Sequence, residues 1–184
     1  MFKKIILIIN LMVLANAWAI SEEIKPAGIL LGGSVANYQF EMFSEFDATV
    51  EAPRPIKDFD LYAITVFEEK ISAITMLSKD FEDMTGSLCI NRFKELKTNL
   101  ISRYGPPDRD KEFIDSYYRE NPSRFNYGLK IGLNEFFVAF FKEDVNVLLN
   151  MSAQDHYSCS LTLGYQHPDL TAQKEDKEKN DELD

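Results

Sequence analysis

Two cysteines, two histidines and an excess of carboxylates are the groups through which this chain could do chemistry, and their spacing constrains what each can do. Cys89 and Cys159 form no Cys-x-x-Cys redox pair. A thiol nucleophile at Cys89 would need His156 or His167 beside it. In an oxidising compartment an even pair is expected to form one structural bridge. The loop it closes holds about 70 residues, for which the chain-entropy model gives about 4 kcal/mol as an upper value. His156 lies in a polar turn and His167 beside Pro168, so neither brings the three or four converging ligands that zinc or copper requires. No His-Glu-x-x-His, Gly-x-Ser-x-Gly or Ser-x-x-Lys pattern occurs, and the calcium-loop spacing is absent. No catalytic, cofactor-binding or metal-binding residue is therefore assigned, and no cofactor is expected. The remaining chemical option is a carboxylate pair for acid–base work on a sugar. Asp58 with Asp60, or Glu82 with Asp83, are the candidates, and both read more simply as solvated loops around a hairpin.

The glycine-rich stretch GILLGGS at 28–34 fails the phosphate-loop spacing, since Ser34 follows Gly33 with no lysine. It reads as a strand running into a tight turn. Phe136, Phe137, Phe140 and Phe141 offer an apolar surface for a lipid or peptide, but one face of their strand must be core. Only half of them are then available for an interaction patch.

The chain ends set the context. Lys3 and Lys4 precede an apolar run from Ile5 to Ala15, then Ala15-Asn16-Ala17 and Ala17-Trp18-Ala19, then Ser21-Glu22-Glu23. This order is that of a cleaved secretory signal over residues 1–19. An apolar run of 11 residues is too short to span a bilayer, which needs about 20. Cleavage after Ala17 or Ala19 leaves about 165 residues, enough for one domain with its own core. Only the first site retains Trp18, the single tryptophan. A domain over 20–168 is expected, followed by an acidic tail over 169–184 with nine charges from Thr171 to Asp184 and no apolar periodicity. Such composition predicts disorder.

The whole chain carries −10; without Lys3 and Lys4, 18 basic residues face 30 acidic ones, a balance of −12. No Lys/Arg cluster follows the signal. Nucleic acid and anionic membrane surfaces are therefore disfavoured as partners, since both need neutralising cations.

The elements that would hold these groups follow from periodicity. Val35, Tyr38, Met42 and Phe46 fall at helical spacing and predict a short helix over 35–46, followed by a proline-rich loop over 51–59. LYAITVFEEKISAITML predicts a hairpin with strands near 60–67 and 70–77. Cys89, Phe93, Leu96, Leu100 and Tyr104 make one stripe of a helix over about 87–104. Arg103 suits its last turn, Gly105 a left-handed cap, and Pro106-Pro107 a stop. After position 125 the pattern is β: 135–142, the alternating run 145–151, and Tyr157 to Tyr165 with Tyr157, Cys159, Leu161, Leu163 and Tyr165 on one face. Short polar turns make this an antiparallel three-strand meander. Cys159 then points toward a covering helix whose stripe begins at Cys89, so the bridge would pin helix to sheet. The fold class read from these patterns is α+β, an antiparallel sheet packed on one main helix with one disulfide.

Leu31-Gly32-Gly33-Ser34, the ITVFEEKISAITML hairpin, a cysteine opening a helix, and Phe93, Leu96, Lys97, Leu100, Tyr104-Gly105-Pro106-Pro107-Asp108 occur in that order. Over residues 28–165 this resembles small exported bacterial α+β proteins in which a helix ending in Tyr-Gly-x-Pro precedes antiparallel strands. The resemblance implies a periplasmic location in a Gram-negative bacterium and an α+β fold, and it carries no catalytic residues. The function expected is an exported, non-enzymatic binding domain for a protein or peptide, of inhibitor, immunity or envelope-assembly type. The alternatives are a small hydrolase with a carboxylate site, or a carrier of an apolar ligand beneath the sheet.

Overall fold

The computed structural model describes residues 23–181; the proposed signal at 1–19 and the last three residues lie outside them. Nine strands and four α-helices follow in order: β1 (Phe40–Met42), β2 (Asp47–Val50), β3 (Phe59–Phe67), β4 (Lys70–Ser78), β5 (Phe81–Glu82), α1 (Ser87–Tyr104), β6 (Arg109–Phe113), α2 (Ser116–Glu120), α3 (Phe125–Lys130), β7 (Glu135–Phe141), β8 (Asn146–Ser152), β9 (Ser158–Gln166) and α4 (Pro168–Asp181). The sheet is antiparallel throughout, in the order β1-β2-β3-β4-β9-β8-β7-β6, with β5 pairing the start of β9. The α+β class read from the periodicities is the class observed.

Helix α1 crosses one face of the sheet. Its buried residues are Cys89, Phe93, Leu96 and Leu100, and Tyr104 extends the stripe at partial burial. Phe93 meets Phe136 edge-on at 5.7 Å, and Tyr104 meets Phe140 at 5.9 Å. Gly105 takes φ 78° at the helix end, its N–H on Ile101 O. A disulfide joins Cys89 to Cys159, pinning the first turn of α1 to β9. At the other side of the helix, Lys97 donates to Asp110 at 2.7 Å and Glu112 at 2.5 Å, securing the edge strand β6. Burial alone would lower the ammonium pKa of Lys97; the two carboxylates outweigh it and hold it above its ordinary value.

The strands alternate through most of the sheet, interrupted by two register shifts between β3 and β4. Ile64, Ile74, Met76, Val138, Phe140, Val147, Leu149, Leu161 and Leu163 face α1 and are buried. The opposite face carries Leu61, Ala63, Thr75, Leu77, Thr162, Gly164, Leu148, Phe137 and Phe141, of which Leu61, Leu148 and Phe141 are exposed. Phe136 and Phe140 are thus the core pair and Phe137 and Phe141 the available pair.

Five expectations change. The helix over 35–46 is instead a short 3-10 turn, Val35–Asn37, followed by β1. Its polar backbone is satisfied by pairing with β2, and the supposed stripe is exposed at Met42. The strand at 28–34 reduces to a bridge between Ser34 and Lys70, although the turn at Gly32-Gly33 is present and bonds to Ile71. Residues 125–130 are helical, because the chain must turn back toward β7 and Asn134 closes that turn, donating to Phe125 O at 2.9 Å. Tyr157 does not share the face of Cys159; it precedes β9 and is 65 % exposed. The segment expected to be a disordered tail contains α4, which lies against β3 and β4. Proline at its first position and Asp169 in its first turn favour this start. Leu170 is buried, Lys174 pairs with Glu178 at 2.7 Å, and its ammonium stands 4.7 Å from the Phe46 ring centroid.

Candidate functional site

At the end of the molecule where α1 begins and β9 starts, three separate segments converge: the 83–88 turn, α3, and the 153–157 turn. Each is held by a short polar side chain. Asp83 accepts from Thr85 N–H at 3.0 Å, the Thr85 hydroxyl at 2.7 Å and Leu88 N–H at 2.9 Å, capping α1 in place of the side-chain-less Gly86. Asp155 accepts from Tyr157 N–H at 2.8 Å and Ser158 N–H at 2.9 Å. Asn126 is wholly buried and joins the turns, its amide donating to Asp83 O at 2.9 Å and His156 O at 3.4 Å. Its Oδ1 is buried with no partner. Gly86 is required here: at φ 68° a side chain is strained, and a Cβ would sit 2.0 Å from the Phe125 ring.

These anchors present Met84, Ser123, Arg124, Tyr127, His156 and Tyr157 around a shallow depression of about 520 Å³. The His156 ring lies against Tyr127 at 4.8 Å, tilted by 34°, and meets Tyr157 edge-on at 6.5 Å. Met84 is 44 % exposed and Leu88, beside it, 52 %. The Cys89–Cys159 bridge ties the chain one residue beyond Leu88 and two beyond Tyr157.

The electrostatics of the patch are set by hydrogen bonds within its turns. Burial would raise the Asp83 carboxyl, but the N–H of Leu88 and the Thr85 groups outweigh it and hold it below the usual range. The N–H groups of Tyr157 and Ser158 hold Asp155 low in the same way. Both are fixed as anions that accept hydrogen bonds, an unsuitable state for a general acid.

The sequence candidates are dispersed. Asp58 is paired with Lys79 at 3.1 Å and Arg92 at 3.4 Å, while Asp60 is exposed. Glu82 is exposed in β5 and Asp83 is a helix cap. His156 belongs to the patch; His167 packs over Gly32 at the start of α4. Among the described residues, no group of three or more His, Cys, Asp or Glu converges as a metal site would need, and no helix is long and apolar enough to cross a membrane. Sequence reasoning missed Asn126 and Tyr127 entirely and placed Tyr157 in the core. Asp83-x-Thr85 and Asp155-x-Tyr157-Ser158 are, however, the short polar patterns of such turns.

A second surface lies on the sheet face opposite α1. Thr75, Gly164, Leu148, Ala139 and Arg109 are cross-strand neighbours in one line from β4 to β6. Gln166, Asn146 and Phe141 flank them on one side, and Thr162 and Phe137 on the other. Together they line a groove of about 350 Å³. Comparison of the chain with protein-family models, with curated proteins and with solved structures found no match.

Proposed function

We propose that the protein is an exported, non-catalytic binding domain that engages a protein or peptide partner through the Met84–Tyr127–Tyr157 patch. The observation that carries this reading is a cluster of exposed Tyr, Met and Arg side chains on turns held by hydrogen bonds to Asp83, Asp155 and Asn126. Interface cores are enriched in these residue types. Preorganisation cuts the ordering cost of binding, and rigidly mounted loops are where binding sites concentrate. The basic, apolar and small-residue order of residues 1–19 supports export, and the disulfide is compatible with an oxidising compartment such as the periplasm. The hydrolase reading is disfavoured because the carboxylates nearest the patch are spent on capping turns.

The test is capture from periplasmic extract on the immobilised, oxidised domain, with Tyr127→Ala/Tyr157→Ala alongside and circular dichroism as a fold control. The expectation is a partner retained by the native patch and by a chain lacking residues 171–184. Truncating two anchoring tyrosines costs at least about 2 kcal/mol, some 30-fold in affinity. Equal retention by the double variant, or loss of the partner only on removing 171–184, would refute the assignment.

A further inference from the structure

We infer that β1 is a docking edge that takes up an extended segment of a partner protein as a further strand, and that this segment alternates apolar residues with lysine or arginine. The main chain supplies the first part of the argument. Glu51 N–H donates to Gln39 O at 3.4 Å and Phe43 N–H to Asp47 O at 3.0 Å, so the backbone groups of Gln39 and Phe43 face β2. By the alternation of an antiparallel ladder those of Glu41 face β2 as well, and the N–H and C=O of Phe40 and Met42 face outward. β1 ends the strand order, and among the described residues no turn, loop or helix bonds to these four groups. Their complement is another strand, which is how an extended segment adds to an open sheet edge.

The side chains set what that strand carries. Met42 lies beside Ala48 and Ile64 on the face that meets α1, and Phe40 lies beside Val50. Ala48, Ile64 and Val50 are buried, whereas Phe40 and Met42 are 41 % and 42 % exposed, so the apolar layer runs out to the edge and is left uncovered there. Alternate residues of an added strand fall on this face and cover both side chains. The residues between them fall on the opposite face, beside Glu41 and Glu51. These two and Asp60 line one concavity along the edge, and Glu45 is exposed in the β1–β2 turn. None of the four carboxylates forms an ion pair among the described residues. No lysine or arginine occurs between Lys25 and Arg54, and Lys174, over the Phe46 ring, is already paired with Glu178. Unpaired charges of one sign favour cations opposite them, and the stems of lysine and arginine also cover apolar neighbours such as the exposed Leu61. The other sheet edge, β6, differs, because its charges alternate in sign and are already paired, Lys97 with Asp110 and Glu112, and Lys111 with Glu135. A second copy fits β1 less well. Full antiparallel overlap of Phe40–Met42 with itself brings Glu41 against Glu41 at the closest cross-strand spacing. The edge shares no residue with the Met84–Tyr127–Tyr157 patch, so the two assignments stand or fall separately.

The experiment is calorimetric titration of the oxidised protein with a blocked heptapeptide alternating lysine with valine, together with hydrogen exchange of the Phe40 and Met42 amides. One peptide per chain is expected, with exchange at those two amides slowed. A version with every amide N-methylated keeps the charge and apolar content but cannot pair as a strand, and it should bind at least about tenfold more weakly. Met42→Pro removes an outward N–H without touching the β1–β2 ladder, and it should weaken binding to the same degree with the far-ultraviolet spectrum unchanged. Glu41→Lys with Glu51→Lys, both at exposed positions, should reverse the preference toward a peptide alternating glutamate with valine. Tyr127→Ala/Tyr157→Ala should leave the titration as it was. Absence of saturable binding, equal binding of the N-methylated peptide, or an unchanged preference after charge reversal would overturn the proposal. So would loss of binding in the tyrosine variant, which would place the peptide on the patch, or a concentration-dependent dimer dissolved by Met42→Pro, which would give the edge to a second copy.

Discussion

Replacing Asn126 by alanine separates the anchoring of the patch from its composition. The side chain is wholly buried and makes a sound hydrogen bond to Asp83 O at 2.9 Å and a weak one to His156 O at 3.4 Å. Orphaning a buried carbonyl costs about 1–3 kcal/mol. The Asp83 carbonyl should bear the middle of that range and the His156 carbonyl its lower end, while the lost methylene-sized volume adds about 1 kcal/mol. Against this, Oδ1 is buried unpartnered in the native protein, and removing it returns about 1–2 kcal/mol. The balance is a loss of about 2 kcal/mol. With a urea m-value of about 2 kcal/mol/M the unfolding midpoint drops by about 1 M. Native-state hydrogen exchange supplies the local readout: the amides of Leu88, Tyr157 and Ser158 should lose protection beyond the global change, since Asp83 and Asp155 are no longer held in register. A midpoint shift under about 0.3 M with unchanged protection at those three amides would refute the view that Asn126 links the turns.

Two further outcomes follow from the same structure. Unreduced protein should show no free thiol by mass spectrometry, and reduction or Cys159→Ala should cost up to about 4 kcal/mol, read from the denaturation midpoint; alkylation without reductant would contradict the bridge. The carboxyls of Asp83 and Asp155 are held low in the folded state, so the stability they confer is complete above the unfolded carboxyl pKa of about 4 and is lost as pH falls through their folded values. Asp83→Asn with Asp155→Asn should therefore flatten the stability profile below about pH 4, whereas an unchanged acid limb would remove both groups from the account.

The parts of the fold legible in the sequence are those where one period runs uninterrupted against one partner. The stripe from Cys89 to Leu100 could only be a helix face, and the alternation from Cys159 to Tyr165 only a half-buried strand; the two cysteines then fixed which faces meet. Short elements were not legible. Phe40–Met42 and Arg109–Phe113 are strands because an existing edge pairs with them, and their exposed side chains record nothing of that pairing. The segment Phe125–Lys130 is apolar enough to pass for strand, and its helix is imposed by the turn that Asn134 closes. In α4, propensity, a first-position proline and one buried leucine outweigh a composition typical of disorder. The patch was the least legible of all, since its residues come from three turns and only tertiary contact through Asn126 brings them together.

The position of β9 bears on the order in which the chain can assemble. The last strand in sequence is inserted at the centre of the sheet, between β4 and β8, with Ala73 opposite Gln166 across more than half of the chain. Until Ser158–Gln166 is present, β4 and β8 are two unpaired edges, and the halves β1–β4 and β6–β8 have no strand in common. Such non-local closure is slow and comes late. Synthesis from the N-terminus thus yields two half-sheets that stay separate until Ser158–Gln166 has emerged. Removal of the final strand would leave two sticky fragments of sheet in place of a smaller domain.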